Sequence, residues 1–270
     1  MSEMTQLTAL PSRAVIAVGG EDWRSLLQGL LTQDVETLTP GELRFGALLT
    51  PQGRLMFDLF ILGREDGCWL DVQASQRADL LRRLMMYRLR AKVTLAESDA
   101  RVFARWDGLA AEGWVADPRL PGLGLRAYGL EVEAPDEEMA YDAHRLALGV
   151  PGPADWAGET TYPIEANFDL LNGVDFKKGC FVGQETTSRM KRRGQIRSRM
   201  LPIVFDGPPP TSGAEVLTEK DLRAGEALSG VEGRAMALLR LDRIEGAALS
   251  VDGRVARADK PDWIPETPMA

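Results

Sequence analysis

The sequence predicts an α+β protein in which a region of mixed helices and strands precedes a small all-β module. Residues 23–31 place Trp and Leu at positions i, i+3, i+4, i+7 and i+8, which is one face of an amphipathic helix. Residues 43–50, 54–62 and 68–73 are apolar or alternating runs bounded by turn residues, which is typical of strands. Beyond residue 199 the helical spacing stops, and short apolar runs alternate with Gly- and Pro-containing turns. This change predicts a small barrel or sandwich.

The remaining elements are predicted from their start and stop signals. Ser75 is the predicted N-cap of a helix over 76–89 whose inner side carries leucines and Met85, and Pro135 opens a helix that Gly149 ends. Strands are predicted at 14–18, 93–95, 100–106, 113–117, 124–130, 199–205, 215–218 and 235–242, with a hairpin across Asp252-Gly253. Irregular structure with short strands is predicted over 151–176, and a basic helix over 184–193 that ends at Gly194.

The predicted organisation has three parts. Residues 1–197 form the α+β region, which can divide into two subdomains, residues 198–260 form the β-barrel, and residues 261–270 form a tail. The chain of 270 residues is long enough for a substantial core, and its 44% hydrophobic and 27% charged residues are typical of a globular protein. No apolar run approaches the roughly 18 residues that span a bilayer, and residues 1–8 lack a secretory signal. These observations predict a cytoplasmic protein.

The rare residues exclude several classes of site. The chain has one histidine, His144, and two cysteines, Cys68 and Cys180. A structural zinc site usually needs four Cys or His ligands, and a resident iron–sulfur cluster usually needs four cysteines. A hydrolase triad would depend on His144, and no G-x-S-x-G turn accompanies it. Most sequence routes to a metalloenzyme or a hydrolase are therefore closed.

Positive charge is concentrated in residues 177–199. This segment holds eight Lys or Arg and one acidic residue, a local charge of +7, whereas the whole chain carries −8 and the remaining residues therefore −15. One interpretation is a solvated basic helix face. The other is a binding site for phosphate, carboxylate or nucleic acid.

The two cysteines have contrasting neighbours. Cys68 lies in an alternating apolar strand, where a cysteine behaves as a small buried hydrophobe. Cys180 follows two lysines and a glycine and precedes the predicted basic helix. Cations and a helix N-terminus both stabilise a thiolate. The pattern predicts a reactive or ligating thiol at Cys180 and core packing for Cys68.

Residues 178–185, Lys-Gly-Cys-Phe-Val-Gly-Gln-Glu, match the signature K-G-C-(F or Y)-x-G-Q-E of the YgfZ family. These are folate-binding proteins related to the glycine-cleavage T protein, and the mitochondrial Iba57-type assembly factors belong with them. Residues 26–35 resemble the family's F-L-Q-G-x-x-T-N-D-V, with Leu26 and Gln33 as departures, and residues 48–54 resemble its glycine-containing turn. The resemblance covers residues 13–200.

The resemblance implies a T-protein-like fold with a C-terminal β-barrel, and a function in the assembly or repair of 4Fe-4S clusters. The implied bound ligand is tetrahydrofolate or a derivative. The implied partners are iron–sulfur assembly proteins and client 4Fe-4S enzymes, among them radical enzymes that thiolate tRNA. No membrane or direct nucleic-acid partner is expected.

The same resemblance implies the site residues. Cys180 would be the essential thiol and a transient ligand of a 4Fe-4S or 2Fe-2S cluster, and no stable metal site is expected. The rest of the signature loop is Lys178, Gly179, Phe181, Gly183, Gln184 and Glu185. The implied folate contacts are Arg13, Tyr141, Arg145, Asn167 and Arg189.

Two other functions are alternatives to this one. A folate-dependent aminomethyltransferase would share the fold, but it requires an acidic residue at the folate amine, and the sequence does not identify one. A tRNA-binding module would use the basic segment, but that segment lacks the interleaved aromatic residues that stack on bases. The protein is therefore expected not to be a conventional enzyme.

Overall fold

A computed structural model describes residues 6–106, 111–156, 159–193 and 196–265. Two compact units form the chain: the first comprises the residues up to Tyr141 together with Leu171–Gln184, and the second comprises Asp142–Leu170 together with the residues from Glu185 onward. The α+β class with a closed C-terminal barrel is confirmed. The predicted domain boundary at residue 197 stays a prediction.

The first unit contains two antiparallel sheets. A five-stranded sheet has the order β3-β4-β5-β2-β6, and a four-stranded sheet has the order β1-β7-β9-β8. The strands are β1 (Leu7–Ala9), β2 (Arg13–Gly19), β3 (Leu43–Leu49), β4 (Leu55–Arg64), β5 (Gly67–Gln73), β6 (Thr94–Ser98), β7 (Val102–Arg105), β8 (Trp114–Ala116) and β9 (Leu125–Tyr128).

Helices α1 (Trp23–Leu30) and α2 (Arg77–Arg88) share a core with the five-stranded sheet. From α1, Trp23, Leu27 and Leu30 are buried, in agreement with the predicted apolar face. From α2, Leu80 and Leu84 are buried. The apolar face of each helix is thus covered by the sheet, and this burial is the main source of its stability.

The second unit contains a closed six-stranded barrel in the order β10-β13-β12-β11-β14-β15. Its strands are β10 (Ser198–Phe205), β11 (Glu215–Thr218), β12 (Arg223–Val231), β13 (Arg234–Arg240), β14 (Leu249–Val251) and β15 (Arg254–Ala258). The other α-helices in the described residues are α3 (Glu138–Ala147), α4 (Gln184–Arg193) and α5 (Leu241–Ile244). Closure leaves the barrel no unpaired edge, and its inward side chains, such as Ile203 and Leu239, are fully buried.

Several predicted elements need correction. Ser75 does not cap α2, because residues 74–76 form a 3-10 turn and the helix begins at Arg77. Helix α3 begins three residues later than expected, because Pro135 accepts a bond from the Ala9 amide, and the Glu137 amide donates to the Thr8 hydroxyl, which ties this stretch to β1. Residues 151–156 and 159–176 contain turns and one 3-10 turn instead of strands. Gly194, the predicted end of α4, lies outside the described residues.

Among the residues that the structure describes, none of the helices combines the length and the apolar character needed to cross a bilayer.

Candidate functional site

Cys180 lies on a loop that leads into helix α4, and its side chain is exposed. Gly179, the residue before it, is also exposed, and a methyl group added there would meet no atom within 4 Å. Cys68 is buried in β5 with only 1% of its surface exposed, as the apolar alternation predicted. A reagent or a partner protein can therefore reach the Cys180 thiol, whereas the Cys68 thiol is shielded.

Lys178 holds this loop against the end of helix α1. Its ammonium donates to the backbone carbonyls of Gln28, Leu31 and Gln33 at 2.8, 2.6 and 2.9 Å. Carbonyls at a helix C-terminus lack intrahelical partners and attract a positive charge. Burial lowers the pKa of Lys178 to about 8, and nearby carboxylates offset this only in part. Lys178 therefore anchors the loop to the end of α1 and is not a solvated cation.

Asp175 is a second anchor, at the start of the loop. The Asp175 carboxylate accepts hydrogen bonds from the amides of Lys177 and Lys178 at 2.7 and 3.2 Å. The Asp175 amide in turn donates to the carbonyl of Thr32 at 2.9 Å, and the Thr32 hydroxyl donates to the carbonyl of Gly173 at 2.6 Å. These bonds tie the loop to the residues after α1, the segment that resembles the second family motif.

Gly183 is the third anchor of the loop, because it packs against the turn over residues 50–53. Gly183 has φ +79°, and an added Cβ would lie 2.6 Å from the Thr50 carbonyl oxygen and 2.9 Å from Cα of Gly53. Only glycine allows both this conformation and this approach. Phe181 is buried beside it, and the Val182 amide donates to the Gly29 carbonyl at 3.2 Å. The two glycines of the signature thus differ: Gly183 is sterically required and Gly179 is not.

Helix α4 begins directly after this packing. Gln184 is its first residue, and Glu185 and Arg189 form an exposed pair whose charged atoms are 4.0 Å apart. The basic segment is not one continuous surface, because Lys178 is turned inward. Arg199 is likewise buried, and its guanidinium binds both carboxylate oxygens of Asp169 at 2.9 and 3.0 Å.

Asp34 orders the segment to which Lys178 is bound. Its carboxylate accepts hydrogen bonds from the Thr37 hydroxyl and from the Gln28 amide group, and Gln28 also accepts from the Val35 amide. Burial alone raises the pKa of Asp34, but these hydrogen bonds outweigh it and lower the pKa to about 2. The ionised carboxylate is therefore part of the folded segment.

Of the predicted folate contacts, Arg13 and Tyr141 lie in the first unit. All three nitrogens of the Arg13 guanidinium donate inside the protein: Nε to the Asp71 carboxylate at 2.6 Å, Nη2 to the Asp71 carbonyl at 2.9 Å, and Nη1 to the Asp58 carboxylate at 2.9 Å. The Tyr141 hydroxyl accepts a bond from Arg119 at 2.9 Å, and its ring lies 5.7 Å from that of Trp106. Arg13 thus supports Asp58 and Asp71, and Tyr141 belongs to the same buried region.

A buried network of ion pairs surrounds these two residues. It contains three arginines and three aspartates, all 7% exposed or less at the side chain: Arg13, Arg119, Arg126, Asp58, Asp71 and Asp117. Guanidinium groups of Arg13, Arg119 and Arg126 lie 5.6, 4.8 and 4.0 Å from the centre of the Phe60 ring. The three positive charges equal the three negative charges in number, so the charge of the network is balanced.

One atom of the network is unsatisfied. Asp58 is 2% exposed, and its Oδ1 is the one buried side-chain oxygen or nitrogen without a hydrogen-bond partner in the described part of the chain. A buried carboxylate oxygen in this state is an acceptor for a donor that the protein does not supply. Asp58 and Asp71 were not predicted as site residues, although an aspartate inside each of two apolar strands is a sequence signal for a buried functional carboxylate.

The other predicted folate contacts lie in the second unit. Arg145 donates to Asp142 and Asp155 at 2.6 and 3.1 Å, and Asp155 accepts from the Ser229 amide at 3.0 Å. Asn167 is fully buried, with its amide group on the Met200 carbonyl at 2.7 Å and its oxygen accepting from Arg199 at 2.9 Å. Arg189 is half exposed. Arg145 and Asn167 therefore have structural roles within their unit.

No group of three or more side chains suited to metal binding lies together within the described ranges. The described residues instead offer two chemical groups. One is an accessible thiol on an anchored loop, and the other is a buried carboxylate with one oxygen that accepts no hydrogen bond.

Comparison with known proteins identifies relatives of this chain. Residues 197–266 match the CAF17 C-terminal beta-barrel domain. The chain is 31% identical to the "Iron-sulfur cluster assembly factor IBA57 homolog, mitochondrial" of Mycosarcoma maydis, with 98% of this chain and 85% of the relative covered. It is 31% identical to the human "Iron-sulfur cluster assembly factor IBA57, mitochondrial", with 95% and 84% covered.

The fold has a solved counterpart. The crystal structure of the glycine cleavage system aminomethyltransferase T from Bartonella henselae superposes with a TM-score of 0.74 at 16% identity, over 97% of this chain and 86% of that chain. This similarity confirms the predicted T-protein-like fold and shows the fold alone.

One expectation is wrong. A cytoplasmic location was expected, but the relatives from Mycosarcoma maydis and Homo sapiens are both named as mitochondrial proteins. The expectation was wrong because secretory signals and organelle-import signals differ in composition, so an argument about the first carries no information about the second.

The assignment of this chain to the YgfZ branch in particular stays a prediction. With its GcvT-like fold, its CAF17-type barrel and its identity to these relatives along most of their length, the chain belongs to the CAF17/IBA57-type family of iron–sulfur cluster assembly proteins.

Proposed function

We propose that this protein assists the assembly or repair of 4Fe-4S clusters in client enzymes, and that the Cys180 thiol is its active group. The observation that carries the proposal is the contrast between the two cysteines: Cys180 is exposed on an anchored loop, and Cys68 is buried. The names of the relatives support the cluster chemistry. We further propose that the clients include radical enzymes that thiolate tRNA.

The chemistry of one thiolate limits what the protein does. A single cysteine does not hold a cluster by itself, because 4Fe-4S and 2Fe-2S clusters take four protein ligands. It supplies one ligand beside those of an assembly protein or client, or it exchanges with a disulfide or persulfide. The loop contributes accessibility together with a defined position, since the three residues that anchor it, Asp175, Lys178 and Gly183, lie within five residues of Cys180 in the sequence.

Reactivation of a client in solution tests this proposal. A purified 4Fe-4S enzyme stripped of its cluster is incubated with iron, sulfide, a cluster-carrying assembly protein and this chain as wild type, Cys180→Ser or Cys68→Ser. Wild type and Cys68→Ser are expected to speed reactivation, and Cys180→Ser to give the rate seen without the protein. Equal rates with wild type and Cys180→Ser would remove the thiol from the mechanism.

We also propose that a reduced folate binds in the first unit. The fold supports this, and so does Asp58 Oδ1, because a reduced pterin carries N–H groups that a buried carboxylate accepts. Arg13, Arg145 and Asn167 fit less well as contacts, since their donors are engaged within the protein. The folate is expected to use Asp58 for orientation, with Arg13 holding that carboxylate.

Titration calorimetry with tetrahydrofolate tests the folate proposal. Binding to the wild type and its loss in Asp58→Asn are the expected results, with Asp175→Asn as a control carboxylate outside the ion network. Heat that is unchanged in Asp58→Asn would show that this carboxylate does not contact the ligand. Because this measurement does not involve Cys180, its failure leaves the cluster proposal standing.

Asp58 also favours one alternative function. A folate-dependent aminomethyltransferase requires an acidic residue at the folate amine, and Asp58 is a buried carboxylate with an unused oxygen. Exchange of glycine carbon with bicarbonate in the presence of the other glycine-cleavage components would support this alternative. We favour cluster assembly, because the exposed thiol has no role in aminomethyl transfer.

A further inference from the structure

The C-terminal end of helix α2 exposes apolar side chains, some of which the helical spacing predicts to be in the core. Six large apolar residues are exposed in the described chain, and three of them, Met85, Met86 and Leu89, lie within five consecutive positions. Their exposed fractions are 48%, 58% and 86%. The inward positions of the helix, Leu80 and Leu84, are fully buried. The helix therefore has apolar side chains on two sides, of which its own unit covers one.

Leu89 is held in a backbone conformation that leucine avoids. It follows the last residue of α2 with φ +46° and ψ −106°, although a position of positive φ after a helix is usually taken by glycine. A leucine at this position costs conformational energy and leaves its side chain in water. Two unfavourable features at one residue indicate a function other than stability of the free chain.

The apolar group is framed by positive charge. Residues 77–92 carry six Lys or Arg and one acidic residue, a local charge of +5 in a chain of net charge −8, so that the other residues carry −13. Arg82 and Arg90 flank the methionines, and both are exposed. We call Arg82, Met85, Met86, Leu89 and Arg90 the α2 surface.

We propose that the α2 surface is a docking site for an acidic protein segment that carries apolar residues between Asp or Glu side chains. Complementary charge would steer such a segment to the site, and burial of Met85, Met86 and Leu89 would hold it there. Methionine adapts its shape to a partner, which suits a site that accepts related segments. The proposal does not depend on Cys180 or on folate.

Two other occupants fit the observations less well. A second copy of this chain would place Arg82 and Arg90 against a surface of the same charge, since a two-fold contact is made by the same patch on both copies. A bilayer surface binds helices that have an apolar face along their whole length, whereas the leucines in the first part of α2 are buried in the core. A protein partner of negative charge is the occupant that matches both the small apolar area and its charged frame.

Site-specific photocross-linking in cells tests the proposal. Full-length chains carry a photoreactive benzoylphenylalanine either at Met86 or, as a control, at Met139, an exposed methionine with acidic neighbours. Position 86 is expected to form an adduct with another protein at a peptide rich in Asp and Glu, and position 139 is not. The double variant Arg82→Glu, Arg90→Glu is expected to lower the adduct yield by about tenfold or more.

Leu89→Gly separates docking from folding. This change relieves the positive φ, so the melting temperature is expected to rise, while the adduct yield at position 86 is expected to fall because an apolar contact is lost. Absence of a protein adduct at position 86 would overturn the proposal. So would an adduct with a second copy of the chain, with a peptide poor in acidic residues, or one that survives charge reversal. Sedimentation with phosphatidylserine vesicles that the charge reversal abolishes would identify a membrane surface instead, and would also overturn it.

Discussion

Cys68 and Cys180 show how neighbours decide the chemistry of one side-chain type. Cys68 is enclosed by β5 and the helical core, and burial raises the pKa of its thiol far above the usual range. Cys180 is exposed between a glycine and a buried phenylalanine. Both environments could be predicted from sequence, because one cysteine stands in an alternating apolar run and the other among glycines and lysines.

Alkylation rates test this contrast. In the native protein Cys180 is expected to react with iodoacetamide much faster than Cys68, because a shielded thiol with a raised pKa supplies almost no accessible thiolate. Mass spectrometry of tryptic peptides at successive times gives both rates. In the unfolded chain the two rates should converge, and equal rates in the native state would contradict the structure.

Asp34 gives a pH dependence with a defined sign. Its folded pKa of about 2 lies below the ordinary value of 3.8, so the unfolded chain binds the proton more readily. The stabilisation is complete above about pH 4 and is lost as the pH falls toward 2, with a total of about 2 kcal/mol. Urea unfolding should show wild type more stable than Asp34→Asn at pH 7, and the gap should close between pH 4 and 2. A gap that stays constant over this range would show that the carboxylate is not responsible.

At the scale of elements, the signature loop is defined by its supports. Lys178 and Asp175 join it to the end of α1 and the residues that follow, and Gly183 joins it to the turn over 50–53. Part of this could be predicted, because the loop, α1 and the turn over 50–53 were all identified as sequence motifs. That these motifs contact one another could not, since the contacts depend on how the sheet brings distant segments together. In particular, Lys178 was expected to contribute positive charge near Cys180, and its ammonium is instead bound by three carbonyls.

Matched alanine substitutions test the loop supports. Gly183→Ala is expected to destabilise the protein by about 1–3 kcal/mol and to impair function, because the new methyl group meets the Thr50 carbonyl at a positive φ. Gly179→Ala is expected to change stability little, since the added methyl group meets open space. Urea unfolding of both variants decides this. Similar losses for the two variants would mean that the loop is not held at Gly183.

Helix α2 shows the limit of periodicity at this scale. The pattern placed Met85 and Leu89 on the inner side with Leu80 and Leu84, yet Leu89 follows the end of the helix and Met85 is about half exposed. Apolar spacing does not state which of two apolar sides is covered by the same chain. Strand β12 was not predicted either, because four of its nine residues are Gly or Ala, which are depleted in strands, and pairing with β13 and β11 decides its conformation.

At the scale of the whole molecule, the fold class and barrel could be predicted because they depend on patterns within short segments. The composition of the second unit could not, because residues 142–170 join the barrel strands through long-range contacts. Arg199 of β10 makes one such contact, with Asp169 and Asn167. Likewise the ion network of the first unit draws aspartates and arginines from separate strands, so its assembly is visible only in three dimensions.

Arg199→Met tests the integrity of the second unit. Removal of the guanidinium leaves the buried Asp169 carboxylate with a half-exposed Lys191 at 3.4 Å, and a loss of about 3 kcal/mol or more in unfolding free energy is expected. The double variant Arg199→Met, Asp169→Asn should regain part of that loss, because the uncompensated charge is gone. A loss below about 1 kcal/mol in the single variant would contradict a structural role for this pair.

Complementation tests the central claim, that the exposed Cys180 thiol performs the function, most directly. A strain lacking the gene for this protein receives wild type, Cys180→Ser or Cys68→Ser, and is scored for 4Fe-4S enzyme activity and tRNA methylthiolation at equal protein abundance. Cys180→Ser is expected to melt like the wild type and to restore neither activity, since an exposed hydroxyl costs little stability but is not a thiolate at neutral pH. Cys68→Ser is expected to lower stability by roughly 1–3 kcal/mol and to retain function. Full restoration of both activities by Cys180→Ser would contradict the account.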